Sequence, residues 1–174
     1  MPDRPPLSDR VMATQDDASV ILIVDDDDAV VGSLSALLEL ETSHRVLHET
    51  SPQAALELVR RNPIDLVISD FLMPSMDGIA FLLEVRGLYP ESTLVLLTGY
   101  ADKENAIRAI NQVGIFQYLE KPWDNDDILT VVRSGLDKRL QLHRLHERTR
   151  ELEGRLRQLE EANRELEKRL RGEQ

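Results

Sequence analysis

The 174-residue sequence contains no cysteine, which removes disulfides, thiolate zinc sites and thiol nucleophiles and leaves the redox compartment open. No apolar run approaches the roughly 18 residues of a membrane span. The N-terminal stretch MPDRPPLSDRVMATQDD lacks the apolar segment of a secretory signal, so a cytoplasmic protein without membrane contact is expected. Nor is there an excess of basic residues. Lys and Arg number 21 against 32 Asp and Glu, a formal charge of −11, which opposes binding to nucleic-acid phosphates and suits a domain that holds a cation.

The charge is unevenly spread. Residues 142–174 carry 9 basic and 8 acidic side chains, leaving 12 basic and 24 acidic before them. An acidic globular part of charge 12 − 24 = −12 therefore precedes a nearly neutral tail. With 41% hydrophobic and 30% charged residues, the chain can build one core and has charge left for an elongated, solvated segment. The expected organisation is a non-periodic, Pro- and Asp-rich disordered leader over 1–18, a globular domain over 19–140 and a coiled-coil helix over 141–174.

From Ser19 onward short apolar runs alternate with amphipathic stretches. The runs are 20–24, 45–49, 66–68, 94–97 and 116–119, and the stretches are 29–40, 52–61, 79–88, 105–113 and 128 onward. Short, nearly uninterrupted apolar runs suit strands buried on both faces. Strict alternation predicts a doubly wound α/β fold with a five-stranded parallel sheet. Ser51-Pro52 reads as a helix start, Asn62-Pro63 and Tyr89-Pro90 as helix stops, and Asp124 with Asp127 as a capping pair.

Ligands of such sheets bind beyond the carboxyl ends of the strands. There the sequence places Asp25-Asp26-Asp27-Asp28, Asp70, Thr98-Gly99 and Lys121-Pro122. Asp27 and Asp28 fit the capping of the following helix. Asp25, Asp26 and Asp70 call for another explanation, because two carboxylates 4 Å apart repel by about 4 kcal/mol at an effective dielectric near 20. A hard divalent ion, Mg²⁺ or alternatively Mn²⁺, relieves that repulsion. Three carboxylates, one such ion and Lys121 sum to zero charge.

Ordered along the chain, Val24-Asp25-Asp26, the stretch Asp65-Leu66-Val67-Ile68-Ser69-Asp70-Phe71-Leu72-Met73-Pro74-Ser75-Met76-Asp77-Gly78, Leu97-Thr98-Gly99 and Tyr118-Leu119-Glu120-Lys121-Pro122 resemble the receiver domain of two-component response regulators over about residues 20–140. The resemblance implies a flavodoxin-like fold and a phosphoryl group accepted on Asp70 from a histidine kinase or phosphotransfer protein. It also implies Asp26 and Asp70 as direct Mg²⁺ ligands, Asp25 as a ligand through water, and the Leu72 backbone carbonyl as a further oxygen. Thr98 and Lys121 would grip the phosphoryl group, with Gly99 leaving room beside it. Tyr118 would be the aromatic switch, and the Lys121-Pro122 bond is cis in such relatives. Leu72 and Tyr100 would flank the path of hydrolytic water, which implies slow self-dephosphorylation.

A seven-residue repeat follows, with Leu145, Leu152, Leu159 and Leu166 at one core position and Leu142, Thr149, Leu156, Asn163 and Leu170 at the other. This is the pattern of a coiled-coil seam, in which Asn163 fixes register and a two-stranded state. Arg148 and Arg155 at g positions precede Glu153 and Glu160 at e positions five residues on, which favours a parallel homodimer. Without proline after Asp124, one helix of about 45 residues, or roughly 70 Å at 1.5 Å per residue, is expected, with Gly135 as its bend.

A DNA-binding zipper needs a dense basic stretch upstream, but residues 125–141 hold three basic and three acidic side chains. A Mg²⁺-dependent phosphatase would need a general acid where Leu72 stands. The expectation is a phosphorylation-activated receiver that is not a turnover enzyme, signalling through a dimeric coiled coil to an output domain beyond Gln174. The alternative is a dimeric adaptor without an output domain of its own.

Overall fold

The structure, a computed structural model, describes residues 18–99 and 113–172. Its elements in chain order are β1 (Val20–Val24), α1 (Asp28–Glu41), β2 (Arg45–Glu49), α2 (Pro52–Arg61), β3 (Leu66–Asp70), α3 (Gly78–Leu88), β4 (Thr93–Thr98), β5 (Gln117–Glu120) and α4 (Asn125–Leu170). Tyr100 and residues 105–112 of the expected fourth helix lie outside the described residues.

The five strands form one parallel sheet in the order β2-β1-β3-β4-β5. Side chains alternate across a strand, so β1 sends Leu22 and Val24 into one core and Ile21 and Ile23 into the other. The first core is completed by Ala55, Leu56 and Val59 of α2 and Phe81, Leu82 and Val85 of α3. The second is completed by Val31, Leu34 and Leu38 of α1 and Ile128, Val131, Val132 and Leu136 of α4. Burial on both faces is why β1, β3 and β4 read as nearly unbroken apolar runs, whereas the edge strands β2 and β5 are more polar and more exposed.

Local chemistry sets the helix starts. The side chains of Asp27, Ser51 and Asp77 accept hydrogen bonds from the backbone N–H groups of Ala29, Ala54 and Ala80 at 2.8, 3.4 and 2.7 Å. Each satisfies a donor that the first helical turn leaves open.

Gly135 is a point of close approach. Its carbonyl accepts a hydrogen bond from the Thr93 hydroxyl at 2.8 Å. A Cβ at this position would lie 2.7 Å from Thr93 Cγ2 and 3.2 Å from Leu66 Cδ1. The missing side chain lets the helix backbone reach β4, a packing role that the sequence reading of Gly135 did not include.

The chain divides into two compact units, one ending at Leu136 and the other beginning at Asp137. The second unit, taken by itself, is helical through Leu170. Its leucines at 142, 145, 152, 156, 159, 166 and 170 are exposed, from 40% at Leu142 to 87% at Leu170. Within this unit Arg148 and Arg155 both reach Glu151, at 2.7 and 4.0 Å. Among the described residues no helix is long and apolar enough to cross a membrane.

Candidate functional site

Strand register gathers the site. Val24 pairs with Ser69, Asp70 with Leu97 and Thr98 with Glu120, so the residues that end or follow β1, β3, β4 and β5 meet at one edge of the sheet. Asp25 is fully buried; its Oδ1 accepts the Asp27 backbone N–H at 3.0 Å and its Oδ2 lies 2.6 Å from Lys121 Nζ. Asp70 is 6% exposed; its Oδ1 lies 2.6 Å from the same ammonium and its Oδ2 accepts the Leu72 N–H at 3.0 Å. Asp26 faces solvent, and one carboxylate oxygen from each of Asp25, Asp26 and Asp70 lies within 4.8 Å of the others.

These residues fit a hard divalent cation. Every side-chain donor of the acidic group is a carboxylate oxygen, and three negative charges against the single positive charge of Lys121 leave a deficit of two. Two carboxylates are held inside the protein while the third opens to water, which suits an ion that keeps part of its hydration shell.

The electrostatics agree with a strained acidic pocket. Burial raises the Asp70 pKa above the ordinary carboxylate value, and Asp25 adds to that effect, while the hydrogen bond and charge of Lys121 pull the other way. Burial alone would lower the Lys121 pKa, but hydrogen bonds and attraction from Asp25 and Asp70 outweigh it and raise the ammonium above its usual value.

The loop after β3 is built to hold Asp70 in place. Phe71 N–H donates to the Leu97 carbonyl at 2.8 Å, and Gly78 N–H donates to the Phe71 carbonyl at 2.9 Å. A Cβ on Gly78 would stand 1.9 Å from the Asp70 carbonyl oxygen, a separation that no non-bonded pair tolerates. Glycine here is a steric requirement of the loop that follows Asp70.

The remaining expected residues are placed as follows. Thr98 is fully buried, and its hydroxyl donates to the Gly99 carbonyl at 3.1 Å. The Lys121 N–H returns to the Thr98 carbonyl at 2.9 Å, tying the ends of β4 and β5 together, and the Lys121-Pro122 bond is cis. Tyr118 is half-buried against the first core and lines an open groove with Phe116, Leu119, Pro122 and Trp123. Leu72 is 59% exposed beside Asp70. Two features had no signal strong enough to find in sequence: the close contact of Gly78 with the Asp70 carbonyl, and the sharing of Lys121 between two carboxylates.

Comparison with known proteins agrees with this geometry. The family described as response regulator receiver domain matches residues 21–133. The chain is 36% identical over 133 residues to the hydrogenase transcriptional regulatory protein HoxA of Cupriavidus necator, covering 75% of this chain and 27% of that protein. It is 38% identical over 116 residues to the transcriptional regulatory protein ZraR of Escherichia coli, covering 67% and 26%. Thus it spans about a quarter of the length of these curated relatives. Among solved structures, a response regulator receiver domain protein from Clostridium thermocellum aligns with a TM-score of 0.67 and 31% identity, covering 71% of this chain and 98% of that one.

Proposed function

Because this chain belongs to the response regulator receiver domain family, we propose that Asp70 accepts a phosphoryl group from a histidine kinase or phosphotransfer protein. On this reading the chain is a switch that modifies itself and not an enzyme of repeated turnover. The observation that carries it is the Lys121 ammonium held 2.6 Å from both Asp25 and Asp70, next to the solvent-facing Asp26.

Asp25, Asp26 and Asp70, with the Leu72 backbone carbonyl, would hold Mg²⁺, or Mn²⁺ in its place, which when bound offsets negative charge around the phosphoryl oxygens. An Asp70 oxygen attacks phosphorus in line, an O–P bond forms, and the P–N bond to the donor imidazole breaks. The imidazole leaves with the electron pair and takes up a proton. Proteins assist such transfers mainly by positioning and charge compensation. Lys121 supplies both, because its ammonium already borders the attacking carboxylate. Thr98, whose hydroxyl rests on the Gly99 carbonyl, turns to donate to a phosphoryl oxygen.

That turn is one part of the switch. A hydrogen bond to a charged group contributes about 1.5–3 kcal/mol, whereas moving a population from 1:99 to 99:1 takes about 5.5 kcal/mol. Lys121 and an inward turn of Tyr118 must supply the rest.

The exposed leucines 142, 145, 152, 156, 159, 166 and 170 support a parallel homodimer through the C-terminal helix, with Asn163 in the seam. In it, Arg148 and Arg155 exchange Glu151 for Glu153 and Glu160 of the partner chain. The dimer would carry the signal to an output domain of a longer protein. Sedimentation with and without Mg²⁺ and beryllofluoride tests this part, and a monomer under both conditions refutes it. The acceptor assignment is tested by incubation with acetyl phosphate and MgCl₂, followed by mapping of the modified residue. A hydroxylamine-sensitive phosphoryl group on Asp70, lost in Asp70→Asn, is the result expected; no label, or label elsewhere, overturns it.

A further inference from the structure

We infer that Gln53, in the first turn of α2, is a positioning residue for the acceptor loop: its side-chain amide holds Ser75 in the left-handed conformation and thereby fixes the backbone around Leu72. The relevance to phosphorylation rests on the roles of Asp70 and Leu72 proposed above.

Ser75 has φ of +67° and is the one non-glycine residue with positive φ among the described residues. L-residues avoid this region because Cβ crowds the following carbonyl, and such conformations persist only where neighbours enforce them. Across Ser75 the Met76 N–H donates to the Pro74 carbonyl at 2.9 Å, closing a tight turn, and a directed chain of three further hydrogen bonds holds the Ser75 hydroxyl. Ser51 Oγ donates to Gln53 Oε1 at 3.1 Å, Gln53 Nε2 donates to Ser75 Oγ at 2.8 Å, and Ser75 Oγ donates to the Pro74 carbonyl at 2.5 Å. Each hydroxyl uses its single proton once. The chain starts from a fixed point, because Ser51 is the N-cap of α2 and accepts from Ala54 N–H.

The ends of the acceptor loop cannot absorb a change at Ser75. Phe71 is tied to Leu97, and Gly78 is tied to Phe71 beneath the Asp70 carbonyl, where even one methyl group does not fit. If Ser75 relaxed to negative φ, the displacement would fall on the residues between these ties; Asp77 is held as the N-cap of α3 by Ala80 N–H and Met76 is bonded to the Pro74 carbonyl, so the strain reaches residues 72–74. There Leu72 N–H meets Asp70 Oδ2 at 3.0 Å, and the Leu72 carbonyl is the proposed metal ligand. Gln53 thus acts through Ser75 on the orientation of the acceptor carboxylate. Glycine at position 75 would adopt the same φ without help, which makes the dependence on Gln53 separable from other effects of its removal.

The test compares the wild type, Gln53→Met, Ser75→Gly and the double variant. Two quantities are read: exchange of the Leu72 amide hydrogen by NMR without metal, and the Mg²⁺ dissociation constant by calorimetry. Gln53→Met is expected to raise both by about three- to tenfold, the reach of one ordinary hydrogen bond. Adding it to Ser75→Gly should change neither. An unchanged Leu72 exchange rate in Gln53→Met, or the same loss in the Ser75→Gly background, overturns the inference. If the wild type takes up no Mg²⁺ while Leu72 exchange responds as expected, the positioning role stands and the proposed metal site fails. If Mg²⁺ binds but exchange does not respond, the reverse holds.

Discussion

Lys121 Nζ lies 2.6 Å from Asp70 Oδ1, and the same ammonium is shared with Asp25. One cation thus serves two nearly buried carboxylates. Lys121→Met would leave both without a counter-charge, and the partner left behind dominates the cost of breaking such a pair. Because the lysine is partly exposed, water softens the loss to about 2 kcal/mol. Urea titration should show it. Mg²⁺ should then raise the melting temperature more in the variant than in the wild type, since the ion replaces the missing charge; equal increments would contradict the shared-ammonium account.

Gly78→Ala places a methyl group where the Asp70 carbonyl oxygen stands, 1.9 Å away. The backbone must move, and overpacking of this kind costs about 1–3 kcal/mol. Because the strain falls on the acceptor itself, labelling of Asp70 by acetyl phosphate should slow by more than the fraction of unfolded protein explains. Retained wild-type labelling in the folded variant would show that the loop tolerates the shift.

Leu72 is exposed beside Asp70 and offers no hydrogen-bonding side chain to a water molecule approaching the acyl phosphate. Leu72→Asn adds a donor and an acceptor there. The phosphorylated state should decay several-fold faster, on the order of tenfold if the amide orients water as one good hydrogen bond does. A lifetime equal to that of the wild type would assign Leu72 to packing alone.

His44 links stability to pH. Burial lowers its pKa below the usual 6.5, against an opposing attraction from Asp65, and its Nδ1 is buried without a hydrogen-bond partner among the described residues. The unfolded chain therefore binds a proton more readily than the folded one, so its contribution is present above pH 6.5 and is lost as pH falls through the folded-state value. Denaturant midpoints measured between neutral and mildly acid pH should fall less steeply in His44→Gln. Parallel curves would remove His44 from the account.

Much of this was legible in the sequence because one physical pattern repeats. Burial on both faces makes β1, β3 and β4 unbroken apolar runs, and parallel register then carries whatever follows them, Asp25, Asp70 and Thr98, to one edge. The heptad spacing of Leu142 through Leu170 is plain in the sequence, but the seam proposed for it is read from spacing and exposure alone. The illegible parts depend on distances between segments remote in sequence. Gly135 reads as a helix weakness until Thr93 is seen against it. The positive φ of Ser75 is not written in its own preference: Met76 N–H closes the turn onto the Pro74 carbonyl, and Gln53 Nε2 reaches the Ser75 hydroxyl from α2.

On the proposed function, Asp25, Asp26 and Asp70 hold a divalent cation that prepares Asp70 for modification. Calorimetric titration of the purified chain with MgCl₂ tests it most directly, with Asp26→Asn as the companion because this carboxylate faces solvent and supports no part of the core. Saturable binding of one ion per chain is expected, lost or weakened at least about tenfold when one of three charged ligands is neutralised. Absence of binding in the wild type, or binding that Asp26→Asn leaves unchanged, would contradict it.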